Sequence, residues 1–381
     1  MARSIPCFLH IGTYKTGSTS LQQLFAKNRR ELLQQGCFFP SELHGWSMKY
    51  LAAFAFSHAG KKHSSVNLLK THGGLPEVTK KIHQELLRAR QCGADRIFLS
   101  CEPLGSLCSV SAWQSFRELL EQADVEVSLV LVCLRGQHAR FLSALSQHCR
   151  SGRHVGDVES LLPQIPLKSK LNYERMLSSI ATVFGKNRIC AINYDRKRDE
   201  LIPIICNHAD IEYGRLLSET LENSSYSAAG RLVYTTINKA LDDLHQSYAS
   251  DPKPTSRPLD TAQESWRSPR KLSSRRRVLD RVLVPQSGNS KFFRNELLAA
   301  KSLEKVFLKS NEKLRQKYFP RDEPPLFTPL DIKTMEADNS QVLSELKLIV
   351  AQLLQETDLS MLGSNPSGVL NALVSRWSKL A

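Results

Sequence analysis

The residues best equipped for chemistry are Gly12-Thr13-Tyr14-Lys15-Thr16-Gly17-Ser18-Thr19. An apolar run, Pro6 to Ile11, turns at Gly12 and passes through a single lysine. After Gly17 it resumes as a helical pattern, with Leu21, Leu24, Phe25 and Leu32 recurring on one side. A strand, a glycine-bounded loop and a helix start, in that order, gather backbone N–H groups, the positive end of a helix dipole, hydroxyls and an ammonium around one point. Such a point holds a phosphate or a sulfate.

The loop departs from the Walker pattern of nucleotide triphosphatases, which places lysine directly after the second glycine. Here Lys15 precedes Gly17, and Ser18 and Thr19 follow it. A Walker enzyme also needs an acidic residue beyond an apolar strand to help hold magnesium. The most apolar strand, Val125 to Leu134, ends instead in Arg135. A cation there suits a second anionic group better than a metal, and its forked donors match a phosphate, with the Ser143 hydroxyl adding another.

Gly12-Thr-Tyr-Lys-Thr-Gly-Ser-Thr-Ser-Leu-Gln22 resembles the 5′-phosphosulfate-binding loop of sulfotransferases, particularly the bacterial branch. Arg135 followed by Ser143 at a strand-to-helix junction is similar to that family's 3′-phosphate-binding segment. Weaker pieces agree in order: Leu171-Asn-Tyr173 through Phe184-Gly185, Arg188 to Tyr194, Lys309-Ser-Asn311 and Lys317-Tyr-Phe319. The resemblance covers residues 5 to 327. It implies 3′-phosphoadenosine 5′-phosphosulfate (PAPS) as donor, adenosine 3′,5′-bisphosphate (PAP) as product and no metal. It also implies a hydroxyl or amine acceptor on a glycan, a glycolipid or a small molecule. Gly12, Thr13, Tyr14, Lys15, Thr16, Gly17, Ser18 and Thr19 would hold the phosphosulfate, and Arg135 and Ser143 the 3′-phosphate. Two residues are candidates for the base. Glu102 follows the strand Arg96 to Cys101, where Pro103 ends the ladder, and ligands of open α/β sheets bind beyond such ends. His44 lies in the segment Ser41 to Gly60, where the resemblance places acceptor contacts. Each has a plain structural reading as well, Glu102 as a helix cap and His44 as a loop residue.

The elements that position these residues read as alternating strands and helices. Helical patterns end near Gly36 and cover Met48–His58, Val78–Leu87, Trp113–Gln122, Tyr173–Phe184, Ile202–Ala209, Arg231–His245, Ser302–Tyr318 and Gln341–Gln355. Strands are expected at Cys37–Pro40, Arg96–Cys101, Val125–Leu134 and Arg188–Tyr194. The unbroken aliphatic run of the third marks a central parallel strand covered on both faces. The fold class is α/β, a three-layer α/β/α arrangement around a parallel sheet, as in P-loop NTPases. Lys61–Gly74 and Asn223–Tyr226 read as polar loops and Arg150–Lys170 as a basic connection. The expected domain is 1–327, with a basic loop at about 248–290 inside it. Residues 328–381 form a linker and a helical extension, whose stripe Val342, Leu346, Ile349, Val350 and Leu353 would pack on the body or on a second copy.

The 381-residue chain carries a net charge of +15, so an anionic partner is expected. The basic residues are scattered and follow no nucleic-acid motif. A nucleotide donor, an acidic glycan or an anionic membrane surface accounts for the excess. The nine cysteines include no CxxC pair, which argues against structural zinc. No apolar run reaches the roughly 20 residues of a membrane span. The first strand begins close to the amino terminus, leaving no room for a secretory signal, so a cytoplasmic location is expected. Two other functions remain open on the sequence: a kinase or nucleotide hydrolase with an aberrant loop, and a non-catalytic basic binding module.

Overall fold

The computed structural model describes residues 4–150, 171–217, 228–249 and 292–355. The connection at 151–170, the loop Asn223–Tyr226, nearly all of the basic loop and the chain beyond Gln355 lie outside the described residues. The strands are β1 (Ile5–Gly12), β2 (Cys37–Phe38), β3 (Arg96–Ser100), β4 (Val125–Leu134) and β5 (Ile189–Asn193). The principal helices are α1 (Ser18–Lys27), α2 (Arg29–Gln34), α3 (Lys49–His58), α4 (Gly74–Gln91), α5 (Val110–Glu121), α6 (Gln137–Arg150), α7 (Tyr173–Phe184), α8 (Leu201–His208), α9 (Ala228–Ala249), α10 (Arg294–Tyr318) and α11 (Asn339–Gln355). No helix among the described residues is long and apolar enough to cross a membrane.

The chain divides into two compact units. One comprises 1–137, 166–221 and 306–329, and the other 138–165, 222–305 and 330–381.

The first unit holds a five-stranded parallel sheet in the order β2-β3-β1-β4-β5. β1 is central, as an alternation of strand and helix with crossovers in both directions requires. Side chains alternate between its faces. Phe25 of α1 packs edge-on against Phe98 of β3 at 4.8 Å and Phe39 at 5.6 Å. Trp113 of α5, fully buried, meets Phe116 and Phe184. Leu9 and Ile11 are completely buried, so the strand that leads into the glycine turn is fixed along its length.

The first helix stops earlier than its apolar pattern predicts. Asn28 interrupts it, separating α1 from α2. Its side-chain amide donates to the carbonyls of Leu24 and Leu217, and its Oδ1 accepts from Leu217 N. Asparagine competes with helical backbone bonding in this way, and here a distant segment supplies the partners. Conversely, Lys61–Gly74 contains a 3-10 turn at Ser64–Val66 and a short helix at Asn67–Thr71 rather than an open loop.

In the second unit Arg231, almost wholly buried, forms a two-pronged pair with Glu296 at 2.7 and 3.3 Å and lies over the Phe292 ring. A buried charge is tolerated when paired this fully. Val342, Leu346 and Ile349 of α11 are buried, and α11 packs with α9.

One close approach governs the carboxyl edge of the sheet. A Cβ on Gly105 would collide with the carbonyl of Gly12, because the 3-10 turn Glu102–Ser106 lies directly on the end of β1. Gly105→Ala should therefore lower stability by about 1–3 kcal/mol. Urea unfolding checks this, and an unchanged midpoint would contradict the packing.

Candidate functional site

The turn after β1 is built by backbone constraints that its residue types satisfy. The Gly12 position has no room for a Cβ, which would strike the Ser18 hydroxyl and sit 2.9 Å from Thr16 Oγ1. The loop folds back over its own strand. Thr13 donates to the Cys133 carbonyl twice, through its N–H at 3.0 Å and its hydroxyl at 3.1 Å. The buried Thr16 hydroxyl donates to Thr13 O at 2.6 Å. Both hydroxyl protons are used in holding the turn.

Lys15 and Gly17 both adopt left-handed backbone, with φ of 71° and 74°. For a lysine this conformation costs on the order of 1–3 kcal/mol and persists only where the surroundings impose it. Arg135 Nη1 donates to the Lys15 carbonyl at 3.1 Å and is one such restraint. Gly17 begins α1 without any side-chain cap. The first-turn N–H groups of α1 thus have no capping side chain and carry the positive end of the helix dipole. Ser18, at 3% exposure, buries a hydroxyl that finds no hydrogen-bond partner among the described residues. A buried hydroxyl without a partner is costly, so an orphan beside an uncapped helix start fits an anion in the turn.

Arg135 follows β4, and Asp195 follows the neighbouring β5. Asp195 Oδ2 accepts the Gly136 N–H at 2.7 Å, while Oδ1 lies 3.3 Å from Arg135 Nε. That second contact is off the line of a hydrogen bond, so it acts as an ion pair. Tyr173 donates its hydroxyl proton to the Arg135 carbonyl at 2.8 Å, and the guanidinium lies over the Tyr194 ring. Arg135 is therefore anchored from three sides and touches the turn itself. Asp195 and Tyr173 do not emerge as functional residues from the sequence. The available signal was position: Asp195 stands directly after a strand, at the same edge as the turn.

Of the expected site residues, the first unit brings together the turn, Arg135 and the segment bearing Glu102. Glu102 is half-buried and opens the 3-10 turn whose Gly105 abuts Gly12 and Thr13. His44 sits in an aromatic cluster, its ring 5.4 Å from Tyr50 and 5.2 Å from His72. Partial burial holds its imidazole below the usual range. Ser143 is half-buried on α6 and belongs to the second unit. Thr19 is exposed. Among the described residues no group of three or more His, Cys, Asp or Glu side chains is placed to hold a metal ion.

Beneath the turn lies a polar group that sequence patterns do not reveal. His10, Ser100, Gln22 and Cys133 are all buried. His10 Nδ1 lies 2.8 Å from Ser100 Oγ, and Gln22 Nε2 donates to that oxygen at 3.1 Å. The one signal that could have found it is Gln22 itself. It shares the inward stripe of α1 with Ser18, Leu21 and Phe25, where a polar residue demands a partner.

No family model and no curated protein matches the sequence. The solved structures similar to it include two sulfotransferases. One is a sulfotransferase from Alicyclobacillus acidocaldarius, 14% identical, with 66% of this chain and 98% of that chain covered and a TM-score of 0.33. The other is the sulfotransferase domain of the olefin synthase from Synechococcus PCC 7002, 15% identical, with 56% and 76% covered and a TM-score of 0.32.

Burial pushes the His10 imidazole down to about 4 from its ordinary 6.5. The unfolded chain takes up a proton below its ordinary value, whereas the folded chain resists doing so until about pH 4. Stability is then full above the unfolded value and falls with acidification at about 1.4 kcal/mol per pH unit across that window. Between about pH 7 and 4.5 the protein should lose about 2–3 kcal/mol more than His10→Leu in urea unfolding. Equal losses would show that His10 does not titrate in this way.

Proposed function

We propose that the protein is a sulfotransferase that moves a sulfuryl group from PAPS to a hydroxyl or amine acceptor. The observation carrying this reading is the anion cradle after β1: an uncapped helix start, a buried orphan hydroxyl on Ser18 and a turn with left-handed backbone at Lys15 and Gly17. The end of β4 supports it, with an anchored guanidinium where a magnesium-dependent enzyme would place a carboxylate.

In the reaction the acceptor oxygen or nitrogen forms a bond to sulfur as the bond from sulfur to the bridging phosphate oxygen breaks. The electron pair of that bond stays on the 5′-phosphate of PAP. The N–H groups at the start of α1 and the Ser18 hydroxyl hold the 5′-phosphosulfate, and the Lys15 ammonium meets the charge growing on the leaving oxygen. Donors fixed before the reaction stabilise that charge without having to reorganise. Arg135 holds the ribose 3′-phosphate and so fixes the line of attack. Glu102 takes the acceptor's proton, since its turn rests against Gly12 and Thr13; His44 is the other candidate base. The +15 charge suits the polyanionic donor and an acidic glycan, a glycolipid headgroup or a small anionic metabolite as acceptor.

Titration calorimetry tests the reading. PAP should bind without metal, and Lys15→Ala should abolish sulfuryl transfer while the protein stays folded. Magnesium-dependent ATP binding with no affinity for PAP would point instead to a kinase or hydrolase. PAP binding with no transfer to any hydroxyl acceptor would leave a binding module. Glu102→Gln should keep PAP affinity and lower turnover by at least about a hundredfold, the usual contribution of a general base. If His44→Ala alone has that effect, the base is His44.

A further inference from the structure

We propose that His10 is a positioning residue, joining the first turns of α1 to the exit of β3 through Ser100 and Gln22 beneath the anion loop. The inference rests on the reading of that loop as the donor site, but the linkage itself is a property of the free protein.

His10 stands near the end of the central strand, paired in register with Ser100 of β3 and Leu131 of β4. Its ring is sealed from solvent on the α1 face of the sheet, stacked near Phe98. One arrangement of protons gives each donor an acceptor. Gln22 Nε2 donates to Ser100 Oγ at 3.1 Å, with the Ser100 carbonyl at 3.3 Å as a second acceptor. Ser100 Oγ donates to His10 Nδ1 at 2.8 Å. His10 then carries its proton on Nε2, which faces Cys133 Sγ at 3.6 Å. This tautomer is assigned from the network. Burial keeps the imidazole neutral and the Cys133 thiol protonated, so no charge has to be accommodated.

Each end of the chain reaches a functional element. Gln22 lies on α1, whose uncapped start faces the turn. Ser100 immediately precedes Cys101 and Glu102, and Cys101 N–H donates to the His10 carbonyl at 3.0 Å. The Cys133 carbonyl accepts both Thr13 donors. Apolar side chains in these positions would fill the space and cost no desolvation. They would also slide, whereas hydrogen bonds fix distance and direction. The network therefore sets the donor cradle and the candidate base segment at one spacing.

The test is amide hydrogen exchange on the free protein, so it does not depend on any nucleotide. In His10→Leu, exchange at Gly17–Leu21 and at Cys101–Gly105 should accelerate together by about tenfold or more, while β5 and α7 keep their protection. His10→Gln, which restores a polar group, should recover most of that protection. Gln22→Leu breaks the same chain from the helix side and should reproduce the effect. Unchanged exchange in the two segments, or acceleration by one factor across the whole sheet, overturns the proposal, as does failure of both leucine variants to fold. PAP binding by the unaltered protein is scored separately: its absence removes the donor-site reading and leaves the linkage result standing.

Discussion

The constraint on which the site depends is the absence of a side chain at Gly12. The chain must leave a buried parallel strand, reverse, and begin a helix whose first-turn N–H groups converge on one point. That reversal is tight enough for the Ser18 and Thr16 hydroxyls to occupy the space a Cβ would take. Gly105 repeats the demand from the other side, because its turn rests on the Gly12 carbonyl. Two missing methyl groups, distant in sequence, let three segments meet at the end of one strand. A cradle made this way is rigid because its parts cannot separate without opening the packed core below.

Polar groups around this point divide into those already satisfied and those left available. The hydroxyls of Thr13 and Thr16 are committed to carbonyls of the turn and of β4. Arg135 commits Nη1 to the Lys15 carbonyl, while Asp195 and the Tyr194 ring orient its guanidinium without taking a hydrogen bond from it. The Ser18 hydroxyl is different: it is buried and has no partner among the described residues. In a site prepared for an anion this division is expected. The framework donors must be occupied beforehand, and the binding donors must not be.

The same economy explains why polar residues sit in the core under the turn. His10, Ser100 and Gln22 could each be replaced in principle by an apolar side chain of similar bulk. Together they satisfy one another and leave no charge, so their burial costs little. Arg231 and Glu296 in the second unit obey a related rule with charge, each neutralising a partner that would be prohibitive alone.

Much of this protein was legible along the chain. The strand-loop-helix signature at Gly12–Ser18, the apolar run into Arg135 and the alternation of strands and helices define a parallel α/β sheet with a tight glycine turn at one edge. Those features are local: glycine spacing, apolar periodicity and the break at Pro103 act over a few residues. Other features were settled only by the tertiary fold. Asn28 ends a helix that its sequence would continue, because Leu217 supplies the competing bonds. Asp195 grips Arg135 because β5 pairs beside β4, and Gln22 meets Ser100 because β3 lies next to β1. What each residue offers to its immediate neighbours is determined by the sequence alone. Which distant residue accepts that offer depends on strand order, and strand order is decided by burying the whole set of apolar faces at once.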